Sequence, residues 1–147
     1  MKRQAAFWDS SALVPLCVLE VSNQFARLQA RRFDAVVWWA SSVEVYSAIF
    51  RLRRAKEITE RQAQWSVARL KELGRSWRLV LPTNEVRELA ERLLERHTLR
   101  AGDGLQLAAA LVWCGGRPTR RVFLSGDERL SEAARAEGFA VMELPKE

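Results

Sequence analysis

Histidine is nearly missing from this 147-residue chain: His97 stands alone. It follows the charged run Glu91-Arg92…Glu95-Arg96, where a cation suits a helix end, so a serine–histidine–acid triad has no well-placed base. Cysteine is almost as scarce. Cys17 and Cys114 lie far apart and form no C-x-x-C pair, which excludes a disulfide framework or a zinc knuckle and leaves two small buried thiols in a reducing compartment. No apolar run approaches the ~20 uncharged residues of a membrane span. The opening Met1-Lys2-Arg3-Gln4 has no apolar stretch of a secretion signal, so a cytoplasmic protein without a membrane partner is expected. Repeats, linkers and low-complexity segments are absent too, and one domain over residues 1–147 is expected.

Two further shortages concern charge. Only four of 24 basic residues are Lys, the rest Arg, and only four of 18 acidic residues are Asp: Asp9, Asp34, Asp103 and Asp127. The hydrophobic fraction of 48% supports a sizeable core and excludes a disordered chain. A net charge of +6 points to a polyanionic partner, most simply nucleic acid.

Apolar runs bounded by turn residues predict strands at 5–8, 35–39, 78–81, 121–125 and 139–144. Helical patterns fill the intervals: 12–20 and 21–32, 41–54 and 59–73, a helix from Thr83 or Asn84 to His97, 102–113 ending at Gly115-Gly116, and 128–136 ended by Gly138. Phe25 and Leu28 are expected to face inward, as are Trp38, Trp39, Trp65 and Trp113; Trp77 lies near a loop. Glu88–Arg92 and Glu91–Glu95–Arg96 are spaced for helix-surface pairs. Strands alternating with helices predict an α/β fold, a mostly parallel five-stranded sheet with helices on both faces.

In an open parallel sheet the working site lies outside the carboxyl ends of the strands. Asp9 ends the first predicted strand, Asp127 follows the fourth, and Glu44 and Asp103 open helices that begin at that same end. Asp34 precedes a strand and falls at the opposite end. Capping competes for these residues: Asp103 could cap its helix, and Ser41-x-x-Glu44 and Ser125-x-x-Glu128 have capping-box spacing. Asp9, interrupting an apolar run without a cationic neighbour in sequence, is harder to explain that way. Carboxylates gathered at one rim repel unless a cation intervenes, and an oxygen-only donor set suits Mg²⁺, or Mn²⁺, rather than zinc. An acidic metal site on a basic protein suggests phosphodiester chemistry.

Four segments carry a resemblance: Phe7-Trp8-Asp9-Ser10-Ser11-Ala12-Leu13-Val14, Ser41-Ser42-Val43-Glu44, Leu99-Arg100-Ala101-Gly102-Asp103-Gly104-Leu105-Gln106-Leu107-Ala108, and Phe123-Leu124-Ser125-Gly126-Asp127-Glu128-Arg129-Leu130. In order and spacing, over nearly the whole chain, they resemble the PIN-domain ribonucleases and, among them, the VapC-like toxins of type II toxin–antitoxin pairs. The resemblance implies a three-layer α/β/α sandwich and a metal-dependent endoribonuclease with a four-acid site at Asp9, Glu44, Asp103 and Asp127. It also implies frequent homodimerisation and inhibition by a small antitoxin protein. Many relatives have Ala and His where this chain has Gly104 and Gln106. These departures leave the acids intact and bear on substrate contact.

On this reading the four acids hold Mg²⁺ or Mn²⁺, Ser11 and Ser125 orient them by hydrogen bonding or cap their helices, and Arg100 contacts an RNA phosphate. Arg51, Arg53, Arg54 and Lys56 fall at a turn between helices. Arg117, Arg120 and Arg121 enter the fourth strand from the far end. An aspartyl-phosphate phosphotransferase would need a lysine near the later acid, and none of Lys2, Lys56, Lys71 and Lys146 is so placed. The stronger alternative is a catalytically degenerate relative that binds RNA or an antitoxin without turnover.

Overall fold

The computed structural model describes residues 3–146. Five strands, β1 (Gln4–Trp8), β2 (Phe33–Trp38), β3 (Arg78–Val80), β4 (Val122–Ser125) and β5 (Ala140–Glu143), form one all-parallel sheet in the order β3-β2-β1-β4-β5. Strand residues alternate between faces, and here both faces are covered, so both alternating sets are apolar. Ala6, Trp8, Val37 and Leu124 pack into one core; Phe7, Val36, Trp38 and Phe123 pack into the other.

Helices α1 (Ser10–Cys17), α2 (Gln24–Arg32), α3 (Ser41–Arg54) and α4 (Glu60–Gly74) cover the first face. Helices α5 (Asn84–Arg96), α6 (Ala101–Trp113) and α7 (Glu128–Glu137) cover the second, where Phe123 packs between Phe7 and Phe139 at ring-centroid distances of 5.3 and 5.4 Å. This is the three-layer sandwich that the sequence predicts. Cys17 and Cys114 are buried free thiols. No helix among the described residues is long and apolar enough to cross a membrane.

Several local expectations change. The first helix stops at Cys17 instead of continuing to residue 20, and a 3-10 turn at Leu19–Val21 follows. Pro15 leaves the Ser11 carbonyl one turn back without its helical N–H, and the helix ends where Val18 turns extended after donating to Val14 O. In α2 the buried positions are Ala26 and Gln29, while Leu28 is 47% exposed and Phe25 only partly buried. Trp38 is buried, but Trp39 is 52% and Trp65 45% exposed, so neither is a core residue. Trp77 packs against the rim of the first core, and Trp113 is partly buried against the second. Neither Glu88 nor Glu91 pairs with an arginine on α5; Arg96 instead reaches Glu137 at 3.4 Å.

The chain lays β2 and β3 on one side of β1, then crosses to place β4 and β5 on the other. Strand order therefore reverses at β1, and the crevice at its carboxyl end is where such a sheet can hold a ligand. Asp9 is the first residue past that end.

Candidate active site

Asp9 is 2% exposed, held where β1 leaves the core. Its amide continues the sheet by donating to Leu124 O at 3.1 Å, and its carboxylate caps α1 by accepting from Ala12 N at 3.2 Å. Two serines secure the same carboxylate. Ser11 Oγ donates to it at 2.7 Å and Ser125 Oγ at 3.2 Å, while Ser11 Oγ also accepts from Gly126 N at 2.8 Å. Capping is thus the work of Asp9, and the two hydroxyls orient it across the gap between β1 and β4.

Asp127 caps α7, accepting from Leu130 N at 2.9 Å, and its amide donates to Ser125 Oγ at 3.0 Å. The capping box expected from Ser125 to Glu128 does not form, because the cap falls two residues later. Nor does the one expected from Ser41 to Glu44: Ala40 precedes α3 without a side-chain cap, and Ser41 is buried. Asp103 stands in the first turn of α6 and is not its N-cap, which is Arg100; the one backbone group that its carboxylate engages belongs to Arg100. Neither Glu44 nor Asp103 is therefore the N-cap of its helix.

Four helix N-termini, those of α1, α3, α6 and α7, thus bring one carboxylate each to the same rim, where their dipoles favour negative charge. The dipoles do not fully offset the cost of crowding and burial. Burial pushes the Asp9 carboxyl up to about 7, against hydrogen bonds from Ser11, Ala12 and Ser125, and the charge of Asp127 adds to the rise. Glu44 is raised by burial and by Asp103, and Asp103 by burial and by Asp127, with Arg100 pulling the latter down. Each acid feels the next, in the order Asp9, Asp127, Asp103, Glu44.

All four line one recess, together with Ser10, Ser11 and Arg51. A second recess shares Glu44, Asp103 and Asp127 and is walled by Arg100, Arg129 and Lys146. Arg51, expected at the turn between helices, lies instead within α3, seven residues beyond Glu44 and on the same helix face. Gln106 was expected to bear on substrate contact. It is instead 1% exposed and turned to the protein, donating to Glu44 Oε1 at 2.7 Å and Ser41 Oγ at 2.8 Å. Gly104 lies where α6 meets α5, and a Cβ there would stand 2.9 Å from Leu94 Cδ2. Close helix approach explains that glycine.

The remaining candidates fall elsewhere. Asp34 pairs with Arg3 at 3.4 Å near the amino end of the sheet, opposite the rim. His97 caps the end of α5 and meets Glu137 at 2.7 Å, outside both recesses. Arg117, Arg120 and Arg121 lead into the amino end of β4, with the Arg121 guanidinium 5.4 Å from the Trp113 ring centroid.

Among the described residues no three Asp, Glu, His or Cys side chains form a close metal-binding cluster. The donor chemistry nonetheless fits a hard divalent cation. The donors at the rim are oxygens, chiefly of carboxylates that lift one another's affinity for positive charge, and Mg²⁺ commonly keeps several waters beside one or two carboxylates.

Neither a family model nor a curated protein matches this sequence. Solved structures do. A toxin–antitoxin complex from Klebsiella pneumoniae superposes with a TM-score of 0.63 at 12% identity, covering 86% of this chain and 91% of that one. FitAcB from Neisseria gonorrhoeae gives 0.63 at 12% identity, covering 94% and 96%. PAE2754 from Pyrobaculum aerophilum gives 0.61 at 18% identity, covering 95% and 89%. At these identities what is shared is the fold, over nearly the whole length of each chain.

Proposed function

We propose that this protein is a metal-dependent endoribonuclease of the PIN-domain type, the toxin of a type II toxin–antitoxin pair. The observation that carries the reading is the meeting of four carboxylates, from four helix N-termini, at the point where strand order reverses. Asp9, Glu44, Asp103 and Asp127 would hold Mg²⁺ or Mn²⁺. Such a cation, when bound, acidifies a bound water and neutralises charge on a scissile phosphate.

The chain's own residues supply the rest. Ser11 and Ser125 fix the Asp9 carboxylate, so that its oxygens meet the recess in one orientation. Arg51 on one side, and Arg100 and Arg129 on the other, flank the acids and suit the phosphates of a single RNA strand lying across the rim. Partial burial of Glu44 and Asp103 lowers the dielectric around them and strengthens each of these interactions.

An antitoxin partner is supported by the Klebsiella neighbour, which is itself a toxin–antitoxin complex. A homodimer follows from the family reading. The alternative, a silent relative that binds RNA or an antitoxin without turnover, is favoured by the absence of a closely set trio of ligands among the described residues.

One experiment separates the two. The purified protein is expected to cleave RNA with Mg²⁺ or Mn²⁺ and to stop in a chelator. Asp9→Asn should lower the rate at least ~100-fold, the scale on which loss of a single charge-stabilising group acts. Its circular dichroism should match the parent. Cleavage by Asp9→Asn at the parental rate, or metal-independent RNA binding without turnover, would overturn the enzyme reading.

A further inference from the structure

Gln106 sits one turn beyond Asp103 on α6 and bridges to α3 through a single nitrogen. Its Nε2 donates to Glu44 Oε1 at 2.7 Å and to Ser41 Oγ at 2.8 Å, while its own Oε1 is buried without a partner. An unpartnered buried carbonyl weakens a fold, so stability alone would favour an apolar side chain of the same length here. The end that is satisfied is the end turned on Glu44. With Oε1 of Glu44 tied back, Oε2 remains for the rim. It receives Ser10 Oγ at 3.4 Å and lies over Gly102, 3.5 Å from where a Cβ would stand.

We propose that Gln106 is a positioning residue, holding the Glu44 carboxylate in the one rotamer that presents Oε2 beside Asp103 as a divalent-cation ligand. The proposal rests on the metal-dependent reading above and adds a residue to it. A glutamate side chain has three torsions, and freezing them before the cation arrives removes that ordering cost from binding. An amide also keeps its donor at every pH at which the protein is folded, so the hold does not depend on protonation.

Manganese itself is the probe: its dissociation constant is read from the electron paramagnetic resonance of free Mn²⁺, and the thermal midpoint is measured in EDTA. Gln106→Met keeps the length and removes the stranded carbonyl. It is expected to weaken Mn²⁺ binding about 10-fold, the scale for ligand-orienting groups. Its midpoint in EDTA should stay level or rise. Ser41→Ala, which removes the amide's second anchor, is expected to weaken binding in the same direction by less than the ~10-fold of Gln106→Met. In a Glu44→Gln background, Gln106→Met should add no further loss, because the residue acts through Glu44.

Unchanged Mn²⁺ affinity in Gln106→Met, an equal loss in the Glu44→Gln background, or a collapsed midpoint in EDTA each overturns the proposal and leaves the metal reading standing. A parent protein that takes up no Mn²⁺ and cleaves RNA in EDTA overturns both.

Discussion

Asp9 shows how one side chain can serve a fold and oppose it. It caps α1 and lies in a net of hydroxyl donors, yet burial still raises its carboxyl to about 7. In the unfolded chain the same group releases its proton near 4. The folded protein therefore holds a proton that the unfolded chain has lost, over the window from about pH 4 to about pH 7. Stability of the metal-free protein should rise as pH falls through that window and level off above pH 7, with Asp9 contributing roughly 4 kcal/mol across it. Glu44 and Asp103, raised in the same direction, add to the trend. Asp9→Asn removes the charge at nearly constant shape. Urea unfolding in EDTA should find it more stable than the parent at pH 7.5, with little difference at pH 4. A variant less stable than the parent at pH 7.5 would contradict the assignment of burial as the dominant cause.

Among the helices, α3 carries the site by its periodicity. Glu44, Ser47, Ala48 and Arg51 fall on one face and line the Asp9 recess. Arg51 is exposed and has no carboxylate within ion-pair distance among the described residues, which leaves its guanidinium open to a phosphate. Arg51→Ala should weaken RNA binding and reduce the slope of log affinity against log salt by about 0.7, the value for one phosphate of a single strand. Mn²⁺ affinity should be unchanged. An unaltered salt slope would remove Arg51 from the RNA path.

Helix limits were legible where a cap is written in the chain. Thr59 with Gln62 forms a capping box opening α4, and Gly138 in the left-handed region closes α7. They were least legible where neighbours decide. The inward face of α2 turned out to be Ala26 and Gln29, because the small Ala26 packs closely into the first core while Leu28 points out. Serines near the starts of α3 and α7 at capping-box spacing proved to serve other residues: Ser41 accepts from Gln106, and Ser125 donates to Asp9.

Across the whole molecule, the sheet's second face depends on Phe123, which is fully buried between Phe7 and Phe139. Phe123→Ala should destabilise the protein by about 3–5 kcal/mol, by lost burial and the cavity left behind. Chemical denaturation reads this directly, and a loss under ~1 kcal/mol would mean that the face repacks. The rim should suffer with it, since β4 ends at Ser125 and leads directly to Asp127, the cap of α7.

Local pattern alone determined the alternation of strand and helix, the parallel sheet, and the end of it at which Asp9, Glu44, Asp103 and Asp127 stand. A strand buried on both faces must be apolar throughout, a helix must begin near a cap, and the helices that open with these acids start at the carboxyl end of the parallel sheet. Tertiary structure alone decided which groups share a hydrogen bond across that rim. Gln106 reaches Glu44 from another helix, Ser125 reaches Asp9 from another strand, and Trp39 and Trp65 stay exposed although they are as apolar as the buried Trp38. Contacts between residues distant in the chain depend on how the two helical layers settle on the sheet, and spacing along one segment carries no record of that.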